Sequence, residues 1–488
     1  VLAVSTPVMD LWISPLTFNK TLQNLTELAK LLNVRHDMLT KKISMNQKKH
    51  FLYLKREITP SLAAKITALK IDGLRLKKEY KRFYPLANVL APVVGFTDID
   101  ETGIEGLELA FNSALGGENG VRRVIKDRLG HIIDELGVMK KPRQGQNIAL
   151  ALDKRIQYVT YRRLKETVEA FDAKSGSMVV MDVNNGEILA MANYPSYNPN
   201  ARVSHRDGRY RNRSVTDLFE PGSVIKAFSV ASALDSDLFS PETLIDTTPS
   251  WMMVDGNTIH DDRENGVLSV TQVMKRSSNV GITKMVLSSP AVQLDGLLKR
   301  VGFGQLTGSG FPGESGGMLE NKTQASPFVL ATLGFGYGLS VTTLQLAQAY
   351  AVFANGGYLM PARFLLATQK TFSKKVIKSK IAQQVLNILE AVVEENGTGQ
   401  RARVAGYRIA GKTGTSRIAG KNGYDKNRHI ASFVGIAPVS QPKLVISVVI
   451  REPRKVSYYG GRVAAPLFSK VMGESLRILG VSPDKPLS

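Results

Sequence analysis

The sequence contains no cysteine. That absence excludes thiol nucleophiles, CxxC redox chemistry, disulfides and thiolate metal sites together. It leaves the compartment open, because a core of this size needs no disulfide. Histidine is scarce: six residues, at positions 36, 50, 131, 205, 260 and 429, none in an HExxH or a His-rich tract. A zinc site is therefore not expected, nor is any metal or other cofactor. The GxSxG elbow of many serine hydrolases is also missing. No apolar run approaches the roughly 18–20 residues of a membrane span. No repeat of 20–50 residues marks a solenoid or propeller.

What is there points to a globular chain of more than one domain. It has 488 residues, 43% of them hydrophobic and 22% charged, which is too long for one ordinary core. The net charge is +22, from 64 basic and 42 acidic residues. The excess is spread along the chain: 23 basic against 15 acidic residues in 1–150, and 41 against 27 beyond. A nucleic-acid footprint is usually a concentrated stripe or arm. The even spread argues for no nucleic acid, and for a diffusely basic surface near an anionic lipid or polymer. The chain starts at Val1 and not at Met, so an anchor or signal segment is expected upstream.

Residues 20–83 read as helical and extended segments. Residues 84–120, with Tyr84-Pro85 and many glycines, read as loop and strand, and 121–150 read as β. The polar stretch Lys141–Gln146 is a plausible junction. Asp153 opens a helical pattern through Phe171, with Ile156, Val159, Leu164 and Val168 near helical spacing. Ser177 to Val183 reads as a strand, Asn184-Asn185-Gly186 as the turn and Glu187 to Met191 as the return strand. Residues 222–400 are helix-rich, with glycine loops near 302–317 and 334–338. Strands return at Tyr407–Thr415, Ala431–Ala437 and Leu444–Arg451, and a closing helix runs from about Pro466 to Leu479. This order of elements suits an antiparallel sheet flanked by helices.

Three short motifs carry chemistry. The first is Ser223-Val224-Ile225-Lys226, after Pro221-Gly222 and at the start of a helical pattern. Ser and Lys three apart share one helix face. A serine hydroxyl needs an adjacent base to act as a nucleophile, and a lysine of lowered pKa can serve. An ordinary helix cap is the competing reading. The spacing recurs at Ser440–Lys443 and Ser482–Lys485, each with a proline between serine and lysine. The second motif is Ser277-Ser278-Asn279, between two helical patterns, where a polar loop or cap competes. Ser-x-Asn also occurs at 44–46 and 196–198. The third, Lys412-Thr413-Gly414-Thr415, lies on a strand, and Lys-Thr-Gly occurs only there. An edge-strand lysine can anchor a carboxylate, and Gly414 would let a ligand backbone come close. The alternative is a solvated edge lysine that opposes aggregation.

The trio in this order is known from penicillin-binding proteins and class A β-lactamases. Further segments resemble class B penicillin-binding proteins: Tyr84-Pro85, Gly95-Phe96, Gly103–Glu108, and Gly116 to Gly130 with Arg122 and Asp127. So do Ser177–Pro199, Phe311–Glu314, Gly334–Gln345, and Tyr458-Tyr459-Gly460-Gly461 with Ala464-Ala465-Pro466. The last of these look most like the septal, division-specific member of Gram-negative bacteria, with the elongation-specific member as the nearest alternative. Two departures stand out. Ala227 follows the motif lysine where many relatives have proline, and the family's first box is cut at Leu2-Ala3-Val4-Ser5.

The resemblance implies an α+β protein: an N-terminal, β-rich, extended pedestal over 1–150, then a penicillin-recognising serine transpeptidase domain over 151–488. It implies cross-linking of peptidoglycan stem peptides through a serine acyl-enzyme, with covalent inhibition by β-lactams. Ser223 would be the acylated nucleophile and Lys226, neutral, its base. Ser277 would relay a proton to the leaving amine, and Asn279 would hold the substrate amide and Lys226. Lys412 would supply positive potential, and Thr413, Gly414 and Thr415 would bind the substrate end. Backbone N–H groups of Ser223 and Thr415 would form the oxyanion hole. Tyr424, Tyr458 and Tyr459 would line the cleft, with aromatic core or rim as the competing reading.

The resemblance also implies action at the periplasmic face of the bacterial inner membrane, through a single-pass anchor upstream of Val1. No glycosyltransferase motif precedes Ser223, so a septal glycan polymerase and other division proteins are expected partners. A β-lactamase on this fold would need a water-directing base, and no Glu-x-x-Leu-Asn box lies between Asn279 and Lys412. A D,D-carboxypeptidase or a β-lactam sensor remains open on the motifs alone.

Overall fold

The structure is a computed structural model that describes residues 1–16, 18, 22–127, 132–201, 208–366, 372–420 and 423–486. Gly130 of the resembling stretch lies outside them. The chain forms two compact units. The first holds Val1–Ala87 and Val94–Asn147; the second holds Asn88–Val93, Ile148–Asn198 and most of the chain beyond.

In the first unit β1 (Val4–Ile13) lies between β2 (Leu52–Ile58) and β3 (Leu74–Phe83), antiparallel to both. Helices α1 (Leu22–Leu32), α2 (His36–Ser44) and α3 (Pro60–Ala68) close a core of Leu11, Ile13, Leu28, Leu32, Ile58 and Ile66. The glycine-rich stretch after Tyr84 is less strand-like than its composition suggests. It pairs Phe96–Thr97 with Gly103–Glu105, but it also turns into short helices at Ala91–Val94, Gly106–Ala110 and Asn112–Leu115. Asn112 fastens this turn by accepting the Gly103 N–H at 2.8 Å. A hairpin of β4 (Val121–Lys126) and β5 (Ile132–Lys140) follows, as the β reading of this stretch anticipates.

The second unit opens with α4 (Lys154–Ala170). Asp153 caps it by accepting the Arg155 N–H, and Phe171 ends it, so the periodicity located both ends. Strands β6 (Ser175–Asp182) and β7 (Ile188–Tyr194) form the expected hairpin around Gly186, but extend it to the pair Gly176–Tyr194. A short helix, Arg213–Thr216, precedes the 3-10 turn Gly222–Ile225 and α5 (Lys226–Asp235). The hairpin β8 (Trp251–Val254) and β9 (Asn257–His260) leads to α6 (Val270–Arg276) and α7 (Asn279–Leu287), and α8 (Thr343–Ala354) and α9 (Ser379–Val393) follow. Strands β10 (Ala410–Gly420), β11 (Gly423–Ala437) and β12 (Leu444–Arg451) complete an antiparallel sheet in the order β10-β11-β12-β6-β7. Helix α10 (Gly460–Ile478) closes the chain.

Several of these bounds differ from the sequence reading: β10 begins at Ala410 and not at Tyr407, and β11 begins at Gly423, eight residues before Ala431. Strand β10 runs five residues past Thr415, because the polar stretch that looks like a loop pairs with the start of β11. Helix α10 begins at Gly460, six residues before Pro466. Proline removes one bond from the helical ladder, but the turn before it is already held: Arg462 and Val463 donate to the Tyr459 carbonyl at 2.9 and 3.0 Å.

Every residue of β6 is buried, as expected for a central strand covered on both faces. On one face α4 and α10 bring Ile156, Leu164, Phe468 and Met472 against Met178, Val180, Phe433 and Val448. On the other face α8 packs on β6 and β12. There the rings of Phe228, Tyr350 and Phe353 meet at 5.0 to 5.8 Å. The edge strand β10 thus rests on a rigid layer, which is what a site needs for fixed geometry. Among the described residues no helix is long and apolar enough to cross a membrane.

Candidate active site

Ser223 lies in the 3-10 turn between Gly222 and Ile225, where its side chain caps nothing. The helix-cap alternative is set aside on that ground. Its hydroxyl is partly exposed and makes no hydrogen bond among the described residues. Lys226 follows one turn later as the first residue of α5 and is fully buried. Its amine is not held by Ser223. It donates to the Ser277 carbonyl at 2.6 Å and to Asn279 Oδ1 at 2.7 Å, and lies 3.2 Å from the Ser277 hydroxyl.

Ser277 ends α6 in the left-handed conformation, at φ 60° and ψ 38°. For a residue with a Cβ this costs about 1 to 2 kcal/mol. The turn aims its hydroxyl between two amines: Lys412 Nζ donates to it at 2.9 Å. Ser278 then caps α7 by accepting the Gly281 N–H, and Asn279 starts the helix. The second motif therefore sits between two helices, as its sequence context suggests, and the middle serine does the capping.

Lys412 is on the edge strand, as expected, yet it is fully buried. That rules out the solvated anti-aggregation lysine. Burial pushes the Lys412 amine well below the usual lysine range, and the charge of Lys226 pushes it further down. Burial also lowers Lys226, to about 7, against the opposing pull of Asp261 and Asp262. Two buried amines that share one hydroxyl cannot both keep a proton cheaply. The positive potential expected from Lys412 is therefore limited to a charge the pair shares. When Lys226 is neutral, its two N–H groups suffice for the Ser277 carbonyl and Asn279, and its lone pair is left to take a proton.

Thr413 Oγ1 donates to Thr398 Oγ1 at 3.3 Å, and Thr415 Oγ1 accepts the Gly460 N–H at 3.0 Å, which ties the start of α10 to the strand. The expected role of Gly414 needs correcting. A Cβ there would lie 2.3 Å from Ser432 Oγ and 2.9 Å from the Pro221 carbonyl oxygen. The space is filled by the protein's own segment leading into Ser223, and not by a ligand. The glycine lets the nucleophile turn press against β10. On the same seam, a Cβ on Gly222 would be 3.3 Å from the Thr415 carbonyl oxygen.

The three tyrosines sit at exposed positions and make no hydrogen bond to the five motif side chains among the described residues. Tyr424 donates to Glu220 Oε1 at 3.0 Å and packs edge-on against Tyr337. Tyr458 stacks on His429 and on Tyr459, with ring centroids 4.0 and 4.5 Å apart.

Residues 176–473 match the family described as penicillin-binding protein transpeptidase domain, and residues 1–150 match the penicillin-binding protein dimerisation domain. The chain belongs to the penicillin-binding protein transpeptidases. Among relatives of this penicillin-binding protein is the "Probable peptidoglycan D,D-transpeptidase PbpC" of Pseudomonas aeruginosa. It is 42% identical over 483 residues, which cover 99% of this chain and 86% of that protein. "Peptidoglycan D,D-transpeptidase FtsI" of Escherichia coli K12 is 39% identical over 488 residues, covering 99% and 82%. The apo transpeptidase domain of Burkholderia pseudomallei penicillin-binding protein 3 superposes with a TM-score of 0.64 at 39% identity. It covers 69% of this chain and 98% of that one.

Sequence reasoning missed three residues of this penicillin-binding protein's site. Asp261, just after β9, accepts from the backbone N–H groups of Asn279 and Val280 at 2.5 and 3.0 Å and from the Ser278 hydroxyl at 2.5 Å. Together with the His260 carbonyl, which accepts from Asn279 Nδ2 at 2.8 Å, it fixes the amide that holds Lys226. Nothing in the sequence links an aspartate 16 residues upstream to the motif. Glu220 accepts from Tyr424 and from the Gly338 N–H, while its carbonyl accepts the Ser416 hydroxyl at 2.7 Å. Gly336, at φ 93°, packs so tightly on Gly222 that a Cβ would lie 2.1 Å from the Gly222 carbonyl oxygen. Glu220 flanks the first motif in sequence, a signal that was not used, whereas Gly336 is brought against Gly222 only by the fold.

Proposed function

We propose that the chain is a peptidoglycan D,D-transpeptidase that acts through an acyl-enzyme on Ser223, in septal wall synthesis, and that β-lactams acylate the same serine. The observation that carries the mechanism is the buried Lys226 amine, lowered to about 7 and held by Ser277 and Asn279 one helical turn from Ser223. Ser223 Oγ attacks the carbonyl of the penultimate D-alanine of a stem peptide, and its proton passes to Lys226 Nζ. The oxyanion is met by the N–H groups of Ser223 and Thr415. The C–N bond breaks, the terminal D-alanine amine takes a proton through Ser277, and D-alanine leaves. The amine of a second stem then attacks the ester, a new amide forms, and Ser223 recovers its proton. Thr413 and Thr415 hold the substrate carboxylate beside Lys412, whose shared charge rises when that anion arrives. Tyr424, Tyr458 and Tyr459 form the rim.

Residues 1–150 would be the pedestal and 151–488 the catalytic domain, a division supported by the two family matches at 1–150 and 176–473. The septal role is supported by the relatedness to FtsI. A glycan polymerase and other division proteins would act as partners, a reading supported by the relatedness to FtsI. The place of action would be the periplasmic face of the inner membrane, where the polymer lies, as the relatedness to FtsI supports. The experiment is in vitro cross-linking of pentapeptide-bearing glycan strands. Cross-linked dimers and released D-alanine in equal amount are expected. D-alanine without dimers would make the enzyme a carboxypeptidase.

A further inference from the structure

Away from the motif lysines, the second unit holds a cavity of about 420 Å³ lined by Lys174, Arg211, Arg213, Arg451, Asp217 and Ser175, with Thr216 and Leu218 beside them. The lining holds four cations and one carboxylate, and only two of the cations meet that carboxylate. Asp217 is met by Arg211 at 2.9 Å and by Arg213 at 3.6 Å. Lys174 turns to Glu452 at 3.1 Å, a carboxylate it shares with Arg428. Arg451 has no ion-pair partner among the described residues. Arg213 is mostly buried, and its Nε has no hydrogen-bond partner there. Burial lowers its pKa, and the neighbouring charges of Arg211 and Arg451 lower it further against the pull of Asp217. Arg213 is balanced only by the long contact to Asp217 and by the Gly208 carbonyl, which accepts from it at 3.1 Å, and a partly balanced guanidinium in a surplus of positive charge is costly. An anion seated among the four would relieve that cost and supply the missing acceptors.

We propose that this cavity is a binding site for a carboxylate or phosphate group carried on a small organic molecule or polymer segment. Its volume is in the range of small-molecule sites and exceeds what a lone anion needs. Its place also fits a ligand that approaches the catalytic strand. Ser175 pairs with Arg451, Arg451 with Ile430, and Ile430 with Ser416, next to Thr415. Three strand spacings put the cavity about 14 Å from β10, at the same end of the sheet as Thr415. The site rests on this charge arrangement and not on the transpeptidase reading.

The test is thermal unfolding of the full chain at fixed ionic strength, titrated with inorganic phosphate and, separately, with L-alanyl-γ-D-glutamate. Sodium chloride is the control. At least one anion is expected to raise the melting temperature saturably while chloride does not. Arg451→Gln should weaken that anion about tenfold or more, the loss of a charge-assisted contact. Arg213→Gln should do the same, and the Arg451 variant serves if the Arg213 variant does not fold. Penicillin labelling of Arg451→Gln should match the wild type, which separates a failed site from a failed enzyme. Saturation by phosphate alone marks a phosphate ligand, and saturation by the dipeptide alone marks a polymer carboxylate. No saturation with either, or an unchanged midpoint in Arg451→Gln, would overturn the proposal.

Discussion

Replacing Asp261 by Asn should move the pH dependence of acylation to lower pH. A lysine at its ordinary value near 10.4 is neutral in about one molecule in 2,500 at pH 7. Burial brings Lys226 to about 7, so about half the amines are ready to take the Ser223 proton at neutral pH. The wild-type rate should fall tenfold per unit below that value and level off above it. Asp261 opposes burial by favouring the charged amine. Removing its charge lowers the amine further, and the loss of a neighbouring opposite charge is worth about one unit. Asp262 and Lys412 are the other charged groups that act on this amine or feel it, and both stay in place. Asparagine keeps an acceptor for the Asn279 and Val280 N–H groups, while the Ser278 hydroxyl can turn round to accept. The assay is stopped-flow acylation by a fluorescent penicillin from pH 5.5 to 9. The expected result is a wild-type midpoint near 7 and a variant midpoint about one unit lower, with a reduced plateau because Asn279 is less firmly held. A purely structural Asp261 would lower the plateau and leave the midpoint alone. An unchanged or raised midpoint refutes the reasoning.

Lys412→Ala should slow acylation by carboxylate-bearing ligands more than by uncharged acylating analogues, measured as second-order rate constants; equal losses would make Lys412 structural only. Lys226→Met should raise the melting temperature, and more at pH 6 than at pH 9. The folded pKa of Lys226 is depressed, so the unfolded chain binds a proton the folded state disfavours. That cost is complete below about 7 and fades as pH approaches the unfolded value. An equal gain at both pH values would mean that Lys226 is not depressed. Gly336→Ala should cost about 3 kcal/mol or more, because its Cβ would overlap the Gly222 carbonyl. Gly310→Ala, with positive φ but nothing within 4 Å, should cost only about 1 kcal/mol by chemical denaturation.

The three motifs were legible because each couples a residue pattern to a local element: a turn before a helix, a junction between helices, a strand. Helix α4 was legible at both ends because Asp153 is a capping residue and the apolar period is regular. What escaped depends on contacts between distant segments. The polar half of β10 looks like a loop until its partner strand is found. The burial of Lys412 is set by the helices around it and not by its neighbours in sequence. Gly414 reads as a gap for a ligand, but the gap is taken by Pro221 and Ser432. Asp261 reaches the second motif past the whole of α6, a distance no local pattern encodes.

The central claim is that Ser223 is acylated and that the ester persists. Acylation needs Ser223, Lys226 and the oxyanion donors, whereas deacylation needs a further base that directs water. Without one, hydrolysis slows by about 10²–10⁴. Intact mass after incubation with benzylpenicillin, followed by peptide mapping, tests this most directly. One adduct per chain on Ser223 is expected, stable for many minutes, absent in Ser223→Ala and unchanged in Ser440→Ala and Ser482→Ala. Rapid turnover of penicillin without an adduct, or an adduct on another serine, would contradict the account.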